Sequence, residues 1–370
     1  MTEPVRLSRR GLLFGACAGL VAGCSSPGEI APVPADQVPA HGVHQAGIVT
    51  PAVVQRHCAV FVWDAPGLPE ITAALRRLST VIPALATGGA PALAGMPPGS
   101  LTVTVGIGPR IVAAVDPSLP GATDLPVFTR ERIAPTDRGG DLLFQVCAAD
   151  ALTVNLAGVA LADALGPGFV PRWRQTGVRG EPTADTGAPR NPLGFADGIV
   201  NPLPADYGRT LWLDEPSGRV TGGTIAVVRR FSLDAGRFLA LPVDAQEQVI
   251  GRRRASSVPL SGGAATDRPD LGAKTPDGRY LVPVDAHVRR AHPSVTGAEL
   301  MLRRSYSISD ASGLGLLFIS FQRDLHSYVR TQQAMDDRDA LLDFTTATAT
   351  ATFLILPGFT PTRPLALPVL

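Results

Sequence analysis

The stretch DLLFQVCAADALTVNLAGVALADALGPGFVPRWRQ, residues 141–175, decides the fold because it contains three elements in immediate succession. Residues 141–147 and 169–175 are short apolar and aromatic runs of the kind that form strands. Residues 151–165 lie between them and predict a helix that ends at a Gly-Pro-Gly turn. The stretch therefore predicts a strand, a helix and a strand.

The chain upstream of this stretch completes one structural unit. Residues 58–63 (CAVFVW) and 101–105 (LTVTV) predict two more strands. The helix between them is indicated by apolar residues at helical spacing, namely Ile71, Ala74, Leu75, Leu78 and Ile82. The first half of the chain therefore has the order βαββαβ.

The second half of the chain repeats this order loosely. Its predicted elements are strands at 224–228, 301–308, 315–321 and 352–356, and helices near 245–251 and 325–335. Two copies of a split βαβ unit predict an α+β fold of two ferredoxin-like halves with antiparallel sheets that face each other or are covered by helices. A cofactor would then lie between a sheet and its helices.

The composition indicates a globular protein and excludes several kinds of site. The chain is 45% apolar and 18% charged, and its net charge of +1 gives no electrostatic reason to expect nucleic acid. Lys274 is the only lysine, so a phosphate-binding GxxxxGK[ST] loop is excluded. No CxxC pair is present, which excludes a zinc ribbon. Gly106-Ile107-Gly108 follows a strand, but Ile111 stands where a dinucleotide-binding loop needs its third glycine.

The first 24 residues have the layout of an export signal. The twin arginines Arg9 and Arg10 precede an uncharged stretch, residues 11–23, that is too short to span ~30 Å of hydrocarbon. Paired arginines favour the twin-arginine route, which carries folded proteins. We therefore expect export to the periplasm or the cell surface.

The cysteines have two different contexts. Cys24 ends the run LVAGC, which resembles a lipoprotein cleavage box, so we expect a lipid anchor as the only membrane contact. Residues 25–43, rich in Pro, Gly and Ala, predict a flexible tether. Cys58 and Cys147 lie in apolar runs; they could pair, but buried thiols are the favoured interpretation.

Three segments of the chain contain candidate residues for a functional site. Asp197 is the single acid in NPLGFADGIVNP, residues 191–202, where glycines and prolines predict a tightly turned loop. By itself this pattern fits a plain Asx turn. The run DAHVRR then supplies His287, and LRRSYS supplies Arg303.

In this order, the segments resemble the dye-decolorizing peroxidases, and among them the exported deferrochelatase/peroxidase branch associated with bacterial iron uptake. The similar segments are HQAGIVTP at 44–51, GGDLLFQVCA at 139–148, GFADG at 194–198, IGRRR at 250–254, DAHVRRAHP at 285–293, LRRSYS at 302–307 and GLLFISFQRD at 315–324. The resemblance implies a dimeric α+β barrel-like fold. The predicted domains are the signal, 1–24, the tether, 25–43, a half with the GxxDG loop, 44–205, and a haem-binding half, 206–370.

The resemblance also implies one haem b (heme b) per chain, with His287 as the axial ligand of the iron. Asp197 and Arg303 would face the peroxide-binding side. There, Asp197 would move a proton between the oxygens of hydrogen peroxide, and Arg303 would stabilise charge on the departing oxygen. The residues implied to contact the haem are Gly198, Ile199, Val200, His292, Pro293, Ser294, Arg303 and Phe318.

Several assignments around the haem have alternatives. His292 is the nearest alternative ligand, and His292-Pro293-Ser294 stands where the family commonly has Asn-Pro-Arg, so His292 could replace a polar contact to a propionate. Ser305 replaces a more usual glycine and could narrow the distal pocket. Asp343 is the candidate carboxylate for the second ring nitrogen of His287, with Asp324 as the alternative.

The leading hypothesis is an exported haem peroxidase that oxidises dyes, phenols or ferrous iron, with deferrochelatase activity in iron uptake. The alternative is a non-catalytic haem-binding lipoprotein that captures or delivers haem iron, but such a carrier would not require both Asp197 and Arg303. The expected partners are hydrogen peroxide, a reducing substrate, iron-uptake transporter components and further copies of the chain. Aromatic residues that could relay electrons, although core packing is favoured for each, are Trp63, Trp173, Trp212, Tyr280 and Tyr306.

Overall fold

The computed structural model describes residues 36–311 and 313–367. The predicted export signal, Cys24 and the first part of the predicted tether lie outside these residues. The rest of the predicted tether is packed: the N–H of Gly42 donates to the carbonyl of Phe359 at 3.1 Å, and Val43 accepts from Gly358 at 2.8 Å. The tether prediction is therefore wrong at Gly42 and Val43, because backbone hydrogen bonds hold these two residues against the C-terminal part of the chain.

The predicted strands and helices are present in the predicted order. The strands are β1 (His57–Asp64), β2 (Thr102–Ile107), β3 (Leu142–Ala148), β4 (Val170–Val178), β5 (Thr224–Leu233), β6 (Leu302–Asp310), β7 (Gly313–Gln322) and β8 (Thr345–Ile355). The helices are α1 (Leu68–Ala86), α2 (Pro109–Val115), α3 (Ala151–Leu165), α4 (Tyr207–Thr210), α5 (Ala235–Leu239), α6 (Val243–Ile250), α7 (His287–Arg290), α8 (Pro293–Thr296) and α9 (Leu325–Arg338). Within the described residues, no helix is long and apolar enough to cross a membrane.

The strands form one closed antiparallel barrel in the order β1-β3-β2-β8-β5-β7-β6-β4. The strands of the two halves meet at two short seams. Gly106 and Ile107 of β2 pair with β8, and Val178 of β4 pairs with Ser307 of β6. Since the barrel is closed, the two sheets are joined at both edges, and each strand has a neighbour on both sides.

Gly106 has a packing role at the seam between β2 and β8. It is the first residue of the Gly106-Ile107-Gly108 run, which resembles the start of a dinucleotide-binding loop. A Cβ atom at this position would lie 2.8 Å from Cβ of Phe353 and 2.8 Å from Cδ1 of Ile355. Both distances are shorter than real Cβ contacts, so the close approach of β2 and β8 requires glycine here.

Apolar packing covers both faces of the sheet formed by β4, β1, β3 and β2, the first sheet. The barrel interior contains alternate residues of the strands, such as Val60, Val62 and Ile319, together with the free thiols of Cys58 and Cys147. The outer face packs on α1 and α3 through the positions that the helical spacing predicted. The interpretation of Cys58 and Cys147 as buried thiols is confirmed.

The sheet formed by β8, β5, β7 and β6, the second sheet, has room for a cavity on its outer face. Short helices and α9 pack near this sheet in place of two long apolar helices. Because successive side chains of a strand point to opposite faces, Arg303 and Ser305 of β6 line the cavity, whereas Tyr306 and Ile308 lie in the barrel interior.

Candidate active site

The cavity lies between the outer face of β5–β7, the helices α7–α9 and the loop that carries Asp197. Apolar side chains form much of its wall, among them Phe195, Phe231 and Met335. It brings together these residues singled out in the sequence: Asp197, Gly198, Ile199, Val200, His287, His292, Pro293, Arg303, Ser305 and Phe318. An apolar chamber with a few convergent polar groups is typical of a ligand site.

Backbone hydrogen bonds and one Asx turn fix the loop before Asp197. The side chain of Asn191 makes the Asx turn, since its Oδ1 accepts the N–H groups of Leu193 at 3.0 Å and Phe195 at 3.2 Å. The backbone N–H of Asp197 donates to Pro189 at 2.9 Å. Gly198 has φ +87°, which other residues rarely adopt. Because the side chain that makes the Asx turn belongs to Asn191, the carboxylate of Asp197 is not used in that turn.

Asp197 lies beside Ser305 and Arg303. The hydroxyl of Ser305 donates a hydrogen bond to Oδ2 of Asp197, so this serine is a direct partner of the carboxylate. The guanidinium of Arg303 donates to the carbonyl of Val200. Burial lowers the pKa of Arg303, and the charge of nearby Asp197 opposes that shift. The cavity wall thus holds a carboxylate, a hydroxyl and a guanidinium close together.

Asn201, which the sequence analysis did not single out, clamps this group to β6. Its Oδ1 accepts the backbone N–H of Arg303 at 2.8 Å. Its Nδ2 donates to the carbonyls of Gly198 and Arg303, both at 3.3 Å. The second Asn-Pro pair in NPLGFADGIVNP was the available signal, but its partner strand lies a hundred positions away in the sequence.

His287 begins α7, and one of its ring nitrogens already has a partner. Its Nδ1–H donates to Oδ2 of Asp339 at 2.7 Å, and the side chain of Asp339 is 0% exposed. Burial lowers the pKa of His287, but the charge and hydrogen bond of Asp339 outweigh burial and raise it above the usual value. The other nitrogen, Nε2, is left for a ligand in the cavity.

The carboxylate prediction for His287 was wrong. Asp343 forms an ion pair with Arg130. Asp324 caps α9 by accepting the N–H of His326 at 2.8 Å. Asp339 follows the last residue of α9, and the direction of that helix, which the sequence does not give, places its carboxylate beside His287.

Ser294, which the resemblance implied as a haem contact, is not among the residues that line the cavity. Ser294 is exposed and lies in the first turn of α8, where its N–H donates to Nδ1 of His292 at 3.2 Å and its hydroxyl lies 2.8 Å from that nitrogen. His292 itself lines the cavity. Burial, and then the positive charges of Arg268 and Arg289, lower the pKa of His292. His292 thus has a hydroxyl partner where His287 has a carboxylate.

The donor set fits a planar iron cofactor better than a bare metal ion. Over residues 36–311 and 313–367, no three His, Cys, Asp or Glu side chains converge as metal ligands. A metal in this cavity would therefore bring most of its own ligands. One imidazole oriented by a carboxylate, facing an apolar chamber, supplies what haem iron takes from a protein.

Comparisons with known proteins agree over most of the chain. Family models described as Dyp-type peroxidase, N-terminal and C-terminal, match residues 45–179 and 188–360. A dye-decolorizing peroxidase of Thermobifida fusca is 34% identical, in a match that covers 68% of this chain and 63% of that relative. A deferrochelatase of Yersinia pestis is 30% identical, in a match that covers 94% of this chain and 88% of that protein.

Solved structures are similar over nearly the same range. A DyP-type peroxidase from Cellulomonas bogoriensis has 33% identity and a TM-score of 0.82, with 89% of this chain and 97% of that one covered. Ferric DtpA from Streptomyces lividans has 32% identity and a TM-score of 0.84, with 90% and 97% covered. The similarity therefore includes the barrel and the cavity residues.

Proposed function

The chain belongs to the Dyp-type peroxidase family, and on that premise we propose that its cavity binds haem b with His287 as the axial ligand of the iron. The protein is a haem-dependent peroxidase, an oxidoreductase that reduces hydrogen peroxide and oxidises a second substrate. The observation that carries the role of His287 is its 2.7 Å hydrogen bond to the buried Asp339. That bond fixes the tautomer and leaves Nε2 for the iron.

Haem held by His287 would supply the redox chemistry for cleavage of the O–O bond of peroxide. The proton movements belong to Asp197, which takes a proton from the inner peroxide oxygen and returns it to the outer one. The hydroxyl of Ser305 orients the carboxylate for this transfer. The charge of Arg303, fixed in the cavity wall, stabilises the departing oxygen.

This set of groups favours an enzyme over a non-catalytic haem carrier. A carrier needs an axial ligand and an apolar chamber, but it does not need a carboxylate and a guanidinium beside each other on the wall. We extend the proposal to deferrochelatase activity, because the Yersinia pestis relative that carries that name matches most of this chain. Dyes, phenols and ferrous iron are the proposed reducing substrates.

The proposal includes the setting of the protein. Twin arginines at 9–10 and the LVAGC run support export by the twin-arginine route to the periplasm or cell surface, with a lipid anchor at Cys24. Similarity to deferrochelatases supports iron-uptake transporter components as partners. The strand orders β4-β1-β3-β2 and β8-β5-β7-β6 support two ferredoxin-like halves and, by resemblance, association of chains.

The test is the absorption spectrum of the full chain expressed with haem available. We expect a Soret band that shifts on addition of peroxide. The variant His287→Ala should lose or change this band, whereas His292→Ala should keep it. A colourless wild-type protein, or a band that His287→Ala leaves unchanged, would contradict the proposed haem site.

A further inference from the structure

We propose that Cys58 and Cys147 form an internal reductant that consumes one peroxide molecule when no other substrate is present, and that Tyr306 connects them to the cavity. In this reaction, the two thiols become a disulfide. Neither cysteine has a role in the mechanism above. The inference rests on the peroxidase activity, which supplies the oxidant.

The two thiols are positioned for bond formation. Cys58 of β1 and Cys147 of β3 lie directly opposite each other in the antiparallel register. Such partners have Cα atoms about 4.5–5.5 Å apart, within the roughly 4.4–6.8 Å that a disulfide spans. Both side chains belong to the barrel interior, and both are free thiols. The disulfide therefore needs no rearrangement of the strands.

Direct attack of peroxide on these thiols is disfavoured by burial. Cys58 is 1% exposed and Cys147 is 0% exposed. Reactive cysteines are partly exposed and have thiolate character, whereas buried ones are inert. Oxidation of this pair therefore requires that electrons leave through the protein.

Tyr306 supplies that route. Its hydroxyl oxygen lies 3.6 Å from Sγ of Cys147, and its ring is buried with the thiols in the barrel interior. The preceding residue, Ser305, faces the cavity and donates to Asp197. Consecutive Cα atoms are about 3.8 Å apart. One strand therefore separates the reacting groups in the cavity from a phenol that contacts the thiol pair.

Arg179 holds this connection in place. Its guanidinium lies 5.7 Å from the centre of the Tyr306 ring, and its Nη1 donates to the carbonyl of Ser305 at 3.2 Å. The same side chain thus contacts both residues of the connection, and the phenol has a fixed position relative to the cavity wall.

The reaction balances without a further reagent. Hydrogen peroxide takes two electrons and two protons, its O–O bond breaks, and two water molecules form. Tyr306 loses an electron and its phenolic proton, then recovers both from the S–H bond of Cys147. In a second transfer, Tyr306 again loses an electron and its phenolic proton, and it recovers an electron and a proton that come from Cys58. The S–S bond then forms between Cys58 and Cys147.

The test uses the full haem-loaded chain, reduced and then freed of reductant. One equivalent of hydrogen peroxide is added with no reducing substrate, the protein is denatured in N-ethylmaleimide, and the cysteine-containing peptides are analysed by mass spectrometry. We expect that neither Cys58 nor Cys147 is alkylated after peroxide treatment, and that the peptides containing them are joined by a disulfide. Peptide analysis separates them from Cys17 and Cys24.

Three comparisons decide between the routes. In haem-free wild-type protein and in the variant Tyr306→Phe, most of Cys58 and Cys147 should stay reduced and should therefore be alkylated by N-ethylmaleimide. Excess dye should likewise keep both cysteines reduced in the wild type. Equal disulfide formation without haem or in Tyr306→Phe would overturn the relay. If the protein consumes peroxide when dye is present, but Cys58 and Cys147 are still fully alkylated after peroxide treatment without dye, the inference would be overturned but the peroxidase activity would not. A sample that consumes no peroxide would overturn both.

Discussion

Asp197 and Ser305 share a hydrogen bond across the cavity wall. The hydroxyl thus adds a contact to the carboxylate and takes space that a glycine would leave open. Hydrogen bonds to charged groups contribute about 1.5–3 kcal/mol. The serine therefore orients the carboxylate.

We expect Ser305→Ala to slow the reaction with peroxide by about 10–100-fold, from the strength of this one hydrogen bond. Asp197→Asn should slow it further, by about 100–10,000-fold, because the proton transfer itself is removed. Stopped-flow absorption at the Soret band measures both rates. A rate of Ser305→Ala equal to that of the wild type would show that the hydroxyl does not orient Asp197.

Asp339 controls the ring nitrogen of His287, so its removal should weaken cofactor binding. We expect Asp339→Asn to lower haem affinity by about 10–100-fold. The matched control is Asp343→Asn, since this exposed carboxylate pairs with Arg130 and not with the histidine. Transfer of haem to apomyoglobin measures the loss. Equal loss from both variants would contradict the assignment.

The sequence predicted residue types better than residue partners. Asp197, His287 and Arg303 lie in one cavity, as the resemblance to the dye-decolorizing peroxidases implied. The sequence analysis predicted Asp343, with Asp324 as the alternative, and missed Asp339, because the linear sequence does not show where the last turn of α9 points. The partner of His287 is a tertiary contact between residues 52 positions apart, and only packing defines it.

At the scale of elements, periodicity predicted helices better than strand ends. The predicted helix 151–165 has the observed bounds. By contrast, the last strand was predicted over 352–356 but begins at Thr345. Its first half alternates Thr and Ala, and Ala is a poor strand former. This segment is a strand because β5 pairs along its whole length, which is information held by another part of the chain.

The N-cap of α3 makes its stability depend on pH. The carboxylate of Asp150 accepts the N–H of Thr153 at 2.8 Å, and this hydrogen bond lowers the pKa of Asp150. A lowered pKa means that the stabilisation is present above the unfolded-state pKa, about 3.9, and is lost as pH falls through the folded-state value.

We expect Asp150→Ala to reduce the free energy of unfolding at pH 7 by about 0.5–2 kcal/mol, and by less in acid. Urea unfolding at both pH values tests this. The control Asp163→Ala removes an exposed acid near the end of the same helix, where a negative charge is unfavourable, so it should not destabilise. An Asp150→Ala effect that is the same at both pH values would contradict the cap.

At the scale of the whole molecule, barrel closure depends on a narrow seam between the two halves. We expect Gly106→Ala to destabilise the protein by about 1–3 kcal/mol, since the added methyl group overlaps Phe353 and Ile355. Gly208→Ala is the control, because nothing lies within 4 Å of its Cβ position. Thermal unfolding compares them. Equal melting temperatures would show that the seam tolerates a side chain.

The seam between β2 and β8 joins strands that are far apart in the order of synthesis. A ribosome delivers β2 early, but β8, which lies between β2 and β5, is the last strand to emerge. The nascent chain therefore carries an unclosed sheet, with its β2 edge exposed, until β8 has been synthesised. Pairing across such a sequence separation is slow, so we expect the closure of the barrel to be a late step of folding.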